Sequence, residues 1–231
     1  MANLENHRKE IVDAAADIVG LGIMTKSNHG NVSLRVPGTN TFLLTAGGSL
    51  AAMKPENVAL FELDGRLLEG TVMPVGAEII QMHAIVYRTR PEFGGVIHTH
   101  SPFATGFAVA ARPIPATYEA MVRAGMVDGV PVAAYGPRGS QQSVDNIETV
   151  LKENAGIRAL LLANHGVLTF ADTVAGAVRA NLVLEESAEI VLNAFKAGGA
   201  KEIPPELIGA TRARAASYAA AGTYTATPPK Q

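Results

Sequence analysis

The stretch "GGVIHTH", residues 94–100, constrains this chain more than any other. A short apolar run bounded by glycines reads as a buried strand, and this one ends in two histidines separated by a single threonine. Side chains at i and i+2 of a strand share a face, so His98 and His100 converge on one point. Two neutral imidazoles on one face suit a divalent metal. They are equally compatible with two packed, hydrogen-bonded histidines, so the pair does not decide the matter alone.

The segments around this strand set the fold class. Ile11, Ala15, Ile18 and Val19 recur at helical spacing, which predicts a helix over residues 5–22 ending near Gly22. "NVSLRV" and "TFLLTA" are short strands around the turn "PGTN", and "VALFELDGRLLEG" is a hairpin centred on Asp64-Gly65. "AEIIQMHAIVYRTR" is a helix that starts at about Glu78 and stops before Pro91. "FATGFAVAA" is helical and "GVPVAAYG" is extended. "SVDNIETVLKENAG" is a helix with Ser143 or Asp145 near its start. "RALLLANHGVLTF" reads as strand, turn, strand, and a long helical region follows over about residues 171–197. Strands mixed with helices and joined partly by hairpins predict an α/β layer fold with a largely antiparallel or mixed sheet. Residues 1–217 read as one domain and 218–231 as a C-terminal tail.

Composition removes several function classes. There is no cysteine, which excludes disulfides, thiolate metal sites and cysteine nucleophiles. The net charge of −2 gives no reason to expect a nucleic-acid partner. No apolar run approaches the roughly 18 residues of a membrane span. The N-terminal segment interleaves charged and apolar residues, unlike a signal peptide, so a cytoplasmic location is expected.

A third histidine shifts the balance at the strand end. His165 sits in a tight "NHG" turn directly after the apolar run "ALLLA". His98, His100 and His165 together make a three-histidine metal site plausible, with positions open for water or substrate. Glu78 heads the helix that leads into the H-x-H strand, and is the candidate acid/base. Two glycine-bearing turns, "NHGNVS" with His29, Gly30, Asn31 and Ser33, and "LTAGGSL" with Gly47 and Gly48, offer backbone N–H groups to a phosphate or carboxylate.

The order "GNVS", "LTAGG", a carboxylate-led helix, "RPEFGGVIHTHSP" and "ANHG" resembles the class II aldolase/adducin family, over residues 8 to 195. The resemblance implies a three-layer α/β/α domain with a central, mostly antiparallel sheet, commonly in a homotetramer. It implies one divalent ion, Zn or Mn with Co or Fe as alternatives, held by His98, His100 and His165. It makes Glu78 the acid/base and a candidate fourth ligand. A substrate carbonyl and its neighbouring hydroxyl would chelate the ion, which stabilises the enediolate left when a C–C bond breaks. Adducin-type members of the family are interaction modules that lack these histidines.

Some positions depart from the sugar-phosphate aldolases. Gly47-Gly48 and Gly76-Ala77-Glu78 stand where those enzymes carry hydroxyl donors for phosphate. The family's substrate-orienting tyrosine maps nearest to Tyr118, and Tyr218 and Tyr224 are candidates for a tyrosine contributed across a subunit interface. His29 replaces a small residue and is a candidate carboxylate contact. The expected function is therefore decarboxylation of a hydroxylated aromatic or 3-oxo carboxylate, with retro-aldol cleavage of a sugar or sugar phosphate as the alternative. The expected partner is a small molecule.

Overall fold

The middle strands of this chain carry apolar residues on both faces, and the architecture follows from covering both. In the computed structural model, which describes residues 4–221, β5 (Gly95–Thr99) and β7 (Ala159–Leu162) are buried along their whole length. The remaining strands are β1 (Gly30–Arg35), β2 (Thr41–Thr45), β3 (Val58–Glu62), β4 (Leu67–Glu69), β6 (Val132–Ala133) and β8 (Gly166–Ala171). They form one sheet in the order β4-β3-β2-β1-β5-β8-β7-β6. All neighbours are antiparallel except β6 and β7.

Helices α1 (Leu4–Gly20), α2 (Pro74–Thr89), α3 (Pro102–Val109), α4 (Glu119–Arg123), α5 (Gln141–Glu153) and α6 (Val174–Lys196) close the two faces. On one side, α2 and α5 cover Phe42, Leu44, Phe61, Val96, Leu168 and Phe170. On the other, α1 and the start of α6 cover Val32, Leu43 and Ile97, while α3, α4 and the rest of α6 cover Leu161 and Val167. Leu43 and Leu44, like Val96 and Ile97, take opposite sides because strand side chains alternate. The result is the expected three-layer α/β/α fold. Fully burying one such side chain contributes about 1.5–3 kcal/mol, so the two-sided core carries most of the stability.

Three boundaries differ from the sequence reading. Helix α2 begins at Pro74, four residues before Glu78, because proline is well suited to a first helical position. Glu78 therefore lies in the second turn. Helix α5 is capped by Ser140, whose hydroxyl accepts from the Ser143 N–H at 3.2 Å; Ser143 and Asp145 lie inside the helix. A further helix, α7 (Pro205–Ala221), carries Tyr218, which had been placed in a tail. Tyr224 lies outside the described residues. Among the described residues, no helix is long and apolar enough to cross a membrane.

Candidate metal centre

Strand β5 lies between β1 and β8 and runs antiparallel to both, so its end meets the two places where they begin. Gly30 pairs with Thr99, Asn31 with His98, and Thr99 with Val167. Both flanking strands are entered through the same tripeptide, Asn28-His29-Gly30 and Asn164-His165-Gly166. Each asparagine adopts the left-handed conformation, φ +50° at Asn28 and +57° at Asn164, which asparagine tolerates better than most residues. Each glycine then admits β5 at close range. A Cβ at Gly30 would lie 2.7 Å from the His98 carbonyl oxygen; one at Gly166 would lie 2.6 Å from the Thr99 oxygen and 2.7 Å from the His100 ring.

These corners bring the three expected ligands together. The His98 ring centroid is 4.8 Å from those of His100 and of His165, and the latter two are 5.3 Å apart. One ligand atom from each lies within 4.8 Å of the others. The Nδ1–H of His98 donates to the Val167 carbonyl at 2.9 Å, which leaves Nε2 as its lone-pair nitrogen. All three imidazoles are held below their ordinary pKa. Burial dominates at His98, which falls well below 6.5, with His165 and His100 adding like-charge repulsion. Burial also lowers His100, followed by the charges of His29 and Arg138. His165 is pushed down to about 4, by burial first and then by His100 and Arg138. Neutral imidazoles at pH 7 are what a metal requires. With no cysteine in the chain, three nitrogen donors at this spacing fit a divalent ion with coordination positions left open.

The segment around His100 is tied to α6. The Asn181 amide donates to Thr99 Oγ1 at 2.9 Å, and Ser101 Oγ donates to Asn181 Oδ1 at 3.1 Å. The Glu185 carboxylate accepts from the Phe103 and Ala104 N–H groups at 2.8 and 2.9 Å, capping α3. Burial raises the Glu185 pKa, against those two hydrogen bonds. His100 is thus held between two anchored neighbours.

His29, Gly30, Asn31, Gly47 and Gly48 line one cavity of about 130 Å³ with the three histidines, as their turns led us to expect. Gly47 and Gly48 adopt φ +118° and +96°, a backbone that other residues rarely take. Ser33 is not part of it. Asn31 and Ser33 share a face of β1, but α2 covers the deeper position. There the Ser33 hydroxyl contacts His83 Nδ1 at 2.7 Å and the Tyr87 hydroxyl at 2.8 Å. Tyr118 is also elsewhere, half-buried against the α3–α4–α6 core at the start of α4.

Glu78 is the least expected placement. Its carboxylate takes an ion pair from Arg138, Nε to Oε2 at 2.5 Å, with the side chains 46% and 41% exposed. An exposed pair of this kind contributes about 0–1 kcal/mol. Arg138 itself lines the histidine cavity, and the sequence reading missed it. The available signal was an arginine between glycines in "GPRGS", a loop far from the histidines in sequence. Gly76 and Ile79 of α2 complete that wall. Larger grooves exist, such as one of about 560 Å³ lined by Arg123, Arg158, Arg179 and Arg212. Donor chemistry and not size marks the site, because that groove has no histidine.

Fold and cavity together define an α/β/α domain built around a three-histidine centre able to hold a divalent ion. Comparison with known proteins agrees. The sequence model of the family described as the class II aldolase and adducin N-terminal domain matches residues 9–192. The chain is 30% identical over 204 residues to 5-deoxy-D-ribulose 1-phosphate aldolase of Bacillus thuringiensis serovar kurstaki, covering 88% of this chain and 92% of that one. It is 31% identical over 161 residues to L-fuculose phosphate aldolase of Haemophilus influenzae, covering 70% of each. A solved L-fuculose 1-phosphate aldolase superposes with a TM-score of 0.82 at 27% identity, over 90% of this chain and 95% of that one. The chain belongs to the class II aldolase and adducin family, and within it to the lyases of the class II aldolase type.

Proposed function

We propose that this protein cleaves a C–C bond in a small ketose that carries an anionic group, a ketose phosphate being the best-supported substrate. The observation that carries this reading is the cavity itself, where three neutral imidazoles share one small space with Arg138, His29 and the Gly47-Gly48 turn. The relatives named above as 5-deoxyribulose- and fuculose-phosphate aldolases support it.

His98, His100 and His165 would hold the ion, Zn or Mn in the first instance. Such an ion supplies Lewis-acid polarisation of a carbonyl oxygen. The remaining work falls to this chain's own groups. Backbone N–H groups of the Gly47-Gly48 turn, with His29 and Arg138, hold the anionic end and fix the orientation of the sugar. Glu78 moves the proton: the hydroxyl on the carbon that becomes the aldehyde gives up its proton as the C–C bond breaks, the electron pair of that bond is left on the carbon next to the carbonyl, and that carbon then takes up a proton while the aldehyde departs. Gly30 and Asn31 bound the wall against which the substrate's hydroxyls lie. Neither Tyr118 nor Tyr218 lines the cavity, and Tyr218 is kept as the candidate for a contact made across a subunit interface.

Decarboxylation of a hydroxylated carboxylate is the second reading. It rests on Gly47, Gly76 and Ala77, which stand where the sugar-phosphate aldolases carry hydroxyl donors, and on His29 as a carboxylate contact. Arg138 gives either anion a partner in the cavity, so the relatives that act on ketose phosphates are what favour the first reading. The test is a direct comparison on protein loaded with Zn²⁺ or Mn²⁺. Ketose 1-phosphates are assayed for aldehyde, and hydroxylated aromatic carboxylates and 3-oxo acids for CO₂. Aldehyde release supports the proposal. Release of CO₂ alone overturns it in favour of the second reading.

A further inference from the structure

We propose that the Arg138–Glu78 ion pair is an exchange contact: the substrate's anionic group takes the Arg138 guanidinium, and the carboxylate so released turns to proton transfer at the histidine cavity. This rests on the function proposed above and assigns Arg138 as its anion-binding residue.

Three observations lead there. Arg138 belongs to the cavity wall together with His100 and His165, whereas Glu78 does not line the cavity and instead holds Arg138 at 2.5 Å. The guanidinium's planar fork matches a carboxylate and a phosphate alike, so the two anions compete for one partner. The loop bearing Arg138 is fixed in place. Gly139, at φ +77°, lies so close that a Cβ there would be 3.0 Å from Glu78 Cβ and Cγ. A Cβ at Gly136 would be 2.5 Å from the Ser143 nitrogen, where Ser140 caps α5. With the backbone seated at both ends, exchange is a matter of side-chain rotation. Both side chains are half-exposed at this contact.

A purely structural ion pair and an exchange contact predict opposite effects of Glu78→Gln on anion binding. Inorganic phosphate binding to the metal-loaded full chain is measured by calorimetry, with acetate as the carboxylate probe. Exchange predicts that Glu78→Gln binds phosphate about threefold to tenfold more tightly than wild type, since the competitor is gone. Arg138→Met should weaken binding about tenfold or more, Arg138→Lys should restore part of it, and the double variant should resemble Arg138→Met. Tighter binding of acetate than phosphate by wild type would assign the anion as a carboxylate. In turnover, Arg138→Met should lose kcat/KM on a ketose phosphate. Unchanged or weaker phosphate binding in Glu78→Gln overturns the exchange, even where wild type cleaves ketose phosphates. Exchange-type binding data without any aldehyde release would overturn the proposed reaction and leave Arg138 as an anion site.

Discussion

His165 is a good place to begin, because its role depends on its neighbours more than on itself. It follows a left-handed asparagine and precedes a glycine that admits the His98 and His100 rings. His165→Ala is expected to lose bound metal and turnover together, with metal content read by elemental analysis after dialysis. Glu78→Gln should retain metal and lose about 10²–10⁴-fold in turnover, the usual worth of a positioned proton-transfer group; full activity would remove Glu78 from the mechanism. Gly166→Ala should be nearly as damaging as loss of a ligand. Its methyl would be 2.7 Å from the His100 ring, and overpacking of this kind costs about 1–3 kcal/mol. Gly156→Ala, whose nearest neighbour is the Asp128 carboxylate at 3.3 Å, is the control that should leave metal affinity unchanged. At this scale the sequence was informative wherever a residue type was rare and its spacing tight, as in H-x-H and the second Asn-His-Gly. It was uninformative for Ser33 and Arg138. The face of a strand can be counted from sequence, but how far along it a covering helix reaches cannot. Nor can a loop 38 positions from His100 be placed beside it before the sheet is assembled.

The packing of α2 on β1 carries a titration signature. His83 is fully buried, its Nδ1 meets Ser33, and its Nε2 has no hydrogen-bond partner. Burial pushes its pKa from 6.5 down to about 3, so the folded protein keeps it neutral. An unfolded chain takes up that proton near pH 6.5. This contribution to stability is therefore complete above 6.5 and is lost as the pH falls toward 3, at up to about 1.4 kcal/mol per pH unit. Urea unfolding of the metal-free protein between pH 7 and 4.5 should show this decline, with the metal-site histidines adding to it in the same direction. His83→Gln should flatten the slope by about one proton; an unchanged slope would mean that His83 is already charged when folded. Elements were legible where periodicity was strong, as in α1 and the β7–β8 hairpin. Helix ends were not: Pro74 and Ser140 were visible as a good first residue and a good cap, but hydrophobic periodicity drew attention further along each helix.

For the whole molecule, metal and fold should stabilise each other. A ligand that binds only the folded state adds about 2.7 kcal/mol at a concentration 100 times its Kd. For a domain of this size each kcal/mol shifts Tm by about 2–4 °C. Loading with Zn²⁺ or Mn²⁺ should therefore raise Tm by about 5–10 °C over chelated protein, and His98→Ala should abolish the shift. An equal shift in His98→Ala would place the ion elsewhere. The α/β layer class was legible from strands mixed with helices and joined partly by hairpins, and the three-layer form from the family resemblance. The long helix α6 was legible as a helix, but its buried Asn181 and Glu185 gained meaning only once they were seen holding the segment around His100.

The two Asn-His-Gly corners have a consequence for how the protein matures. The donors come from positions 98–100 and 165, and they meet only after β5 has paired with β8. A slip of one residue in that pairing would send His98 and His100 to the opposite side of the sheet. An ion bound there would act as a proofreader of the finished sheet: chains with a misaligned centre would stay empty, and only correctly aligned ones would capture metal and gain its protection.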